Sequence, residues 1–499
     1  MLFNSEIFIF FFLPITYILY WALLKKQSNQ LALLGLTAAS LFFYAWWDIY
    51  SLPILLISTA FNYACGRKIA TEKKNIESKL PLLVLKIGVV INLLALAYYK
   101  YFGFIIFDVL GLALDKNAYH VELPIGISFF TFTQIAYLVD AYRGKAEEKS
   151  PVSYALFVSY FPHLIAGPIL HHKEMLPQFK AAAPFSFFSN DLFFGLGIFG
   201  VGLAKKLLLA DPLGIYANKF FSSAGVDFNP TFFESLCGIL TYTFQLYFDF
   251  SGYSDMAVGI SKMFGIDLPI NFLSPYKSRS IVEFWRRWHI TLSAFLRDYL
   301  YISLGGNKKG TLRRYLNLMT TMVLGGLWHG AGWTFVIWGF IHGSLLIVNH
   351  GWNNIKNMSV NGAKITSLFS FLAWPLTFTC VALAWVPFRA HSMSQTHSII
   401  NGLLGSNGFV LPQQLLDLVP ILKRIANGAG TVPLLADGTV MGFVDMSFML
   451  GIAFFICFFC KNTFEMTHRK RLIFSLLMLP FLIQKIFFGG EVEFLYFQF

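Results

Sequence analysis

The chain has 499 residues, 56% of them hydrophobic and only 13% charged, with 56 Phe, 22 Tyr and 11 Trp and a formal net charge of +12. Apolar runs of about 20 residues, the length one helical crossing of a bilayer needs, recur throughout and exclude a soluble globule. The basic residues stand in short loops beside these runs and not on one soluble face, so the charge calls for a membrane surface and no nucleic acid.

In chain order, candidate spans or half-spans fall at about 6–24, 31–47, 51–66, 81–99, 123–139, 152–170, 191–210, 231–249, 315–349 (two passes), 366–387, 444–460 and 472–488. The expectation is an all-α polytopic membrane protein of about 11–13 transmembrane or re-entrant helices, with interfacial amphipathic helices besides. The first run lacks a basic start and a small-residue cleavage site, so it is expected to stay as a helix. Segment 152–170, with Phe161-Pro162-His163 and Ala166-Gly167-Pro168, reads as a re-entrant loop shielded by protein. Lys25-Lys26, Arg67, Lys68, Lys73, Lys74 and Lys79, the basic loop 277–314, and Lys461 with Arg469-Lys470-Arg471 mark the cytoplasmic side, which puts both termini outside. A loop at about 389–440 then faces out, with 415–425 as a short interfacial helix. No internal repeat or low-complexity linker divides the chain, so one membrane domain is expected. Cys65, Cys237, Cys380, Cys457 and Cys460 lie in or beside apolar segments and read as inert.

Three places concentrate polar groups. Gly325-Gly326-Leu327-Trp328-His329-Gly330-Ala331-Gly332 sets a histidine among four glycines at membrane depth, where a titratable group points to function. A satisfied core histidine at a glycine-packed helix crossing fits the same run. On a single helix over 281–300, Trp285, Trp288, His289, Leu292, Leu296, Tyr299 and Ile281 share one side, with Glu283, Arg286, Arg287, Arg297 and Asp298 opposite. His289 is therefore expected on a buried face. The arginines either anchor the helix at the cytoplasmic boundary, Glu283 pairing with Arg287, or recognise phosphates of a cytoplasmic donor. Residues 247–255 place Asp249 and Tyr253 at a span's end, where a carboxylate is either paired or lines a polar tunnel. His342, about 140° round from His329 on an ideal helix, is expected outside that site. Neither His163 nor His171-His172 has partners at a metal-ligand spacing, and no metal site is expected. Gly-x-Ser-x-Gly and P-loop motifs are absent, which disfavours serine-hydrolase chemistry and nucleotide hydrolysis. What remains is a buried histidine acting as general base on a hydroxyl, with a second one nearby.

The runs Phe284-Trp285-Arg286-Arg287-Trp288-His289-Ile290-Thr291-Leu292-Ser293, Leu296-Arg297-Asp298-Tyr299-Leu300-Tyr301-Ile302, Gly305-Gly306-Asn307 and Leu327-Trp328-His329-Gly330 resemble the membrane-bound O-acyltransferase family, most of all its alginate O-acetyltransferase branch. Leu123-Pro124-Ile125-Gly126-Ile127-Ser128-Phe129, Ala166-Gly167-Pro168-Ile169, residues 247–255 and the closing Phe494-Leu495-Tyr496-Phe497-Gln498-Phe499 match as well.

The resemblance implies a helical bundle with a tunnel through the membrane, and a catalytic core over 1–350 to which 351–499 adds C-terminal helices. His329 takes the catalytic position and His289 the second signature position. Substrate and donor binding would fall to Asp249, Tyr253, Trp285, Arg286, Arg287, Trp288 and Trp328. The setting implied is a bacterial inner membrane, with both termini periplasmic. No cofactor is tightly bound; acetyl-CoA serves as the acyl donor, and a periplasmic O-acetyltransferase or acetyl-acceptor protein completes delivery to an extracytoplasmic polysaccharide. The D-alanylation branch usually has Asn at the position of Arg286, a departure that favours acetyl transfer here. D-alanyl or other acyl transfer from a carrier-protein thioester is the alternative within the class. A polysaccharide transporter or flippase is the alternative outside it; its inverted repeat of broken helices is not seen.

Overall fold

A computed structural model describes residues 1–26, 28–75, 77–112, 121–180, 187–358, 362–424, 428–430, 440–489 and 494–495. The described residues are predominantly helical, as the all-α reading expects, with one short parallel strand pair among them, Val410–Pro412 with Gly428–Gly430. Every apolar run except 152–170 coincides with a helix over most of its length. Among the described residues eight helices are long and apolar enough to cross a membrane: Phe8–Lys25, Asn29–Trp47, Leu80–Tyr101, Asn190–Ser223, Trp333–Asn354, Phe371–Arg389, Gly442–Phe459 and His468–Phe488. Only 11% of the His468–Phe488 window is buried by protein, so its apolar surface needs acyl chains around it. The remaining runs form helices that are too short or too polar. Leu52–Glu72 carries Asn62, whose amide exchanges hydrogen bonds with that of Asn92 at 3.2 and 2.7 Å, and Ile127–Tyr142 has 16 residues.

Several helices begin at a proline in their first turn, Pro53, Pro81 and Pro151, where the missing N–H is no loss and the fixed φ suits the helix. Segment 152–170 is broken as expected. Helix Pro151–Ser159 gives way to the single turn Phe161–Leu164 and irregular chain through Leu170, and the whole break is buried in protein. His163 Nε2 lies 2.9 Å from the Phe157 carbonyl oxygen.

The chain divides into two compact units. The first comprises Met1–Leu203, Tyr253–Asn271 and Met466–Gln498; the second comprises Ala204–Gly252 and Phe272–Glu465. An aromatic core of Phe3, Phe8, Phe12, Phe43 and Phe161 fills the first, with ring centroids 4.9 to 6.2 Å apart along its contacts. In the second, helix Met393–Leu403 lies in the loop after residue 389. Gln395 fastens it by donating from Nε2 to the carbonyls of Phe221 (2.7 Å) and Ala224 (2.8 Å). The interfacial helix expected over 415–425 is shorter. It runs Gln413–Leu418 and yields at Pro420 to a tighter turn, Pro420–Arg424, because proline cannot donate to the preceding turn. Parts of that loop, and Tyr496 to Phe499 of the closing motif, lie outside the described residues.

Candidate active site

His329 is the last residue of helix Gly310–His329, where the chain leaves through Gly330 in extended conformation. Its ring is 7% exposed and meets three others near right angles: Trp328 at 5.0 Å, Trp338 at 5.1 Å and Phe388 at 5.2 Å between centroids. The glycines around it serve close packing. A Cβ on Gly326 would strike the Phe335 carbonyl oxygen, one on Gly339 the Met322 carbonyl oxygen, and one on Gly330 the Phe335 ring. Gly326 and Gly339 thus let helices Gly310–His329 and Trp333–Met358 cross with their backbones in contact. Gly326→Ala should lower stability by about 1–3 kcal/mol, as overpacking does; an unchanged melting midpoint in detergent would contradict this contact.

The single helix expected over 281–300 is broken at His289. Helix Ile281–Arg287 opens with Ser280 Oγ accepting from the Glu283 N–H at 3.1 Å, and Trp288 leaves it in extended conformation. His289 itself adopts φ 43°, ψ 55°, left-handed backbone that costs a non-glycine residue about 1–3 kcal/mol. Its carbonyl then accepts from the Ser293 N–H at 3.0 Å and starts helix Ile290–Phe295. Of the residues the wheel places inward, Ile281, Trp288, His289, Leu292 and Leu296 are buried and Trp285 and Tyr299 half-buried; of those opposite, Arg286 and Arg297 are exposed and Glu283, Arg287 and Asp298 half-buried. His289 is fully buried, with Phe250 edge-on at 4.8 Å, Phe272 at 6.4 Å and Trp328 at 6.3 Å. Burial holds its imidazole well below the ordinary histidine range, so it is neutral. Trp328 is the link, since its ring touches both histidines.

Trp288 is buried against Phe284, Tyr276 and Trp385, whereas Trp285 is half-buried against Trp338 and His342. Arg287 forms the expected i,i+4 pair with Glu283 at 2.8 Å and donates to the Leu273 carbonyl at 3.3 Å. Arg286 points to the surface.

Two expectations fail on geometry. Residues 247–255 do not end a span: they lie in the middle of the continuous 32-residue helix Phe232–Met263. There Asp249 pairs with Lys206 Nζ at 2.8 Å, and the same ammonium holds Asp211 at 2.7 Å. Tyr253 belongs to the first unit, stacked between Phe3 (4.7 Å) and Phe494 (4.5 Å). His342, expected apart from His329, shares a neighbour with it, for Trp338 lies 4.8 Å from His342 and 5.1 Å from His329. The helical phase that separated them does not survive the break at Gly330.

Trp338, Trp385, Phe388, His342 and Lys206 were not picked out from sequence as parts of this cluster. Lys206 had a signal, an ammonium within the apolar run 191–210 that needed a buried carboxylate. The aromatic residues had none, being three among many in apolar helices.

Residues 52–386 match the model of the membrane-bound O-acyltransferase family, MBOAT. The chain is 38% identical to the peptidoglycan O-acetyltransferase of Helicobacter pylori, over 100% of this chain and 98% of that one. It is 42% identical to the probable alginate O-acetylase AlgI of Pseudomonas aeruginosa, over 79% of this chain and 73% of that one. A teichoic acid D-alanyltransferase of Streptococcus thermophilus is 30% identical over 46% and 57% of the two chains. The similarity to the Helicobacter pylori protein thus spans the whole chain. The chain belongs to the membrane-bound O-acyltransferase family and is a multi-pass membrane O-acyltransferase.

Proposed function

We propose that this enzyme takes acetyl groups from acetyl-CoA at the cytoplasmic face of a bacterial inner membrane and passes them outward for O-acetylation of an extracytoplasmic polysaccharide, with both termini periplasmic. The observation that supports the reading is that two buried histidines both neighbour Trp328, with ring centroids 5.0 Å away for His329 and 6.3 Å for His289. His329 accepts the proton of the attacking hydroxyl as its oxygen forms the new bond to the thioester carbonyl. The carbon–sulfur bond breaks, and the thiolate leaves with that proton as a thiol. His289 orients the acceptor, its ring fixed by Phe250 and a strained backbone. The names of the relatives at 38% and 42% identity support acetyl transfer to peptidoglycan or alginate. A separate periplasmic transferase or acetyl-acceptor protein finishes delivery, because the outer loop is too small for a polysaccharide-binding domain.

The test is release of thiol from radiolabelled acetyl-CoA by purified enzyme in nanodiscs, with labelled acetate followed into alginate oligomers and glycan strands. Release without a labelled product points to the missing transferase; no release refutes the donor. Arg286 gives an independent check. Exposed beside Trp285 and on the side the basic loops mark as cytoplasmic, it faces the donor's phosphates. Arg286→Ala should raise the KM for acetyl-CoA several-fold with kcat little changed, whereas an unaltered KM returns Arg286 to membrane anchoring.

A further inference from the structure

A groove of about 310 Å³ in the second unit takes no part in the chemistry above. Lys277, Arg279, Phe371, Trp374, Phe458 and Phe459 line it. It lies where the apolar span Gly442–Phe459 ends and the span Phe371–Arg389 opens, the level at which a bilayer passes from acyl chain to headgroup. Its two cations come from the start of the basic loop 277–314, on the side the basic loops mark as cytoplasmic.

Specific contacts hold the groove in shape. Trp374 donates from Nε1 to the Tyr276 carbonyl at 2.8 Å and packs edge-on against Phe458, 4.7 Å between centroids. Lys277 Nζ donates to the Cys460 carbonyl at 2.5 Å, which places the ammonium at the end of helix Val440–Phe459 and leaves it further N–H donors. Arg279 is exposed. Glu283 accepts from the Arg279 backbone N–H at 2.9 Å but gives its charge to Arg287 at 2.8 Å. Among the described residues no carboxylate lines the groove. Its other end is apolar and open, for Phe371 is 71% exposed and Phe459 68%.

We propose that this groove is a binding site for an anionic phospholipid, whose phosphate rests on Lys277 and Arg279 and whose acyl chain lies against Phe371, Trp374, Phe458 and Phe459. A soluble anion uses the cations and leaves the rings in contact with nothing, whereas a phospholipid satisfies both ends at once. A zwitterionic headgroup brings an ammonium to a groove that holds two cations and no carboxylate, so net negative charge is selected. The proposal needs only that the chain cross a bilayer and is independent of the thioester chemistry.

The full chain, in neutral detergent doped with equal amounts of dioleoyl phosphatidylglycerol and dioleoyl phosphatidylcholine, is read by native mass spectrometry for retained lipid. Phosphatidylglycerol should be retained about tenfold over phosphatidylcholine, and less so as salt rises. Lys277→Gln with Arg279→Gln should lower that retention about tenfold. Lys308→Gln with Lys309→Gln, exposed in the same basic loop but outside the groove, should leave it unchanged. Should the first pair not fold, Arg279→Gln alone, at an exposed position, gives the test in a milder form. Equal retention of the two lipids overturns the proposal, as does retention of phosphatidylglycerol that survives in the folded Lys277 and Arg279 variant. An equal loss in the Lys308 and Lys309 variant overturns it too, because basic charge anywhere in the loop then suffices. Inorganic phosphate that displaces the lipid at equal concentration would make this a free-anion site. A raised KM for acetyl-CoA with unchanged lipid retention would assign both cations to the acyl donor instead.

Discussion

Replacing His329 by alanine is expected to reduce thioester turnover by about 10³-fold, within the range of 10²–10⁴ that a general base contributes. That corresponds to about 4 kcal/mol of transition-state stabilisation. The donor's KM should change little, because a general base acts on the acceptor's proton in the transition state and not on the bound donor. Alanine also leaves a hole among Trp328, Trp338 and Phe388, so a fall in stability is expected beside the fall in rate. His329→Gln separates the two: glutamine keeps much of the volume and a hydrogen-bonding end but cannot take up the proton at neutral pH. Both variants should be inactive while glutamine melts closer to wild type. Wild-type turnover in either folded variant would remove His329 from the chemistry and leave it a packing residue at the Gly326–Gly339 crossing.

The architecture was legible because it depends on run length and polarity. Apart from 152–170, whose prolines and glycine mark its break, each apolar segment became a helix, since a buried or lipid-facing backbone must satisfy its own hydrogen bonds. Burial of His289 and exposure of Arg286 were legible for a similar reason, for side-chain polarity decides which face of a short helix turns inward. Helical phase was reliable only within a helix. Nothing local in Trp288-His289 announces a break, because the left-handed conformation of His289 accompanies its packing against Phe250 and Phe272, far away in sequence. The glycines after His329 did announce one, and treating the helix as continuous across them put His342 on the wrong side. The break replaces a 140° separation with a shared tryptophan. Glycine is ambiguous in sequence, since a residue without a side chain suits a ligand's approach and a helix crossing equally well. Only the Phe335 and Met322 carbonyls beside Gly326 and Gly339 show that packing uses these two.

Lys206→Met should cost about 3–5 kcal/mol of stability, the loss that follows when one partner of a buried ion pair is removed. The Lys206 and Asp249 side chains are 3% and 2% exposed, and the ammonium lies within 2.8 Å of Asp249 and 2.7 Å of Asp211. Methionine keeps the length of the stem and leaves buried carboxylates without that charge. Replacing the second member as well, in Lys206→Met with Asp249→Leu, should recover much of the loss, since apolar groups of similar volume often substitute for a buried pair without penalty. The measurement is the thermal midpoint in detergent of wild type, both single variants and the double variant. Additive losses would show that the pair is not coupled. Turnover of the double variant then decides what Asp249 does. Its neighbour Phe250 packs edge-on against His289 at 4.8 Å, so a carboxylate that only anchors this stretch of helix acts through that ring, and activity should return with stability. A carboxylate that touched the acceptor would leave a variant that folds and does not turn over.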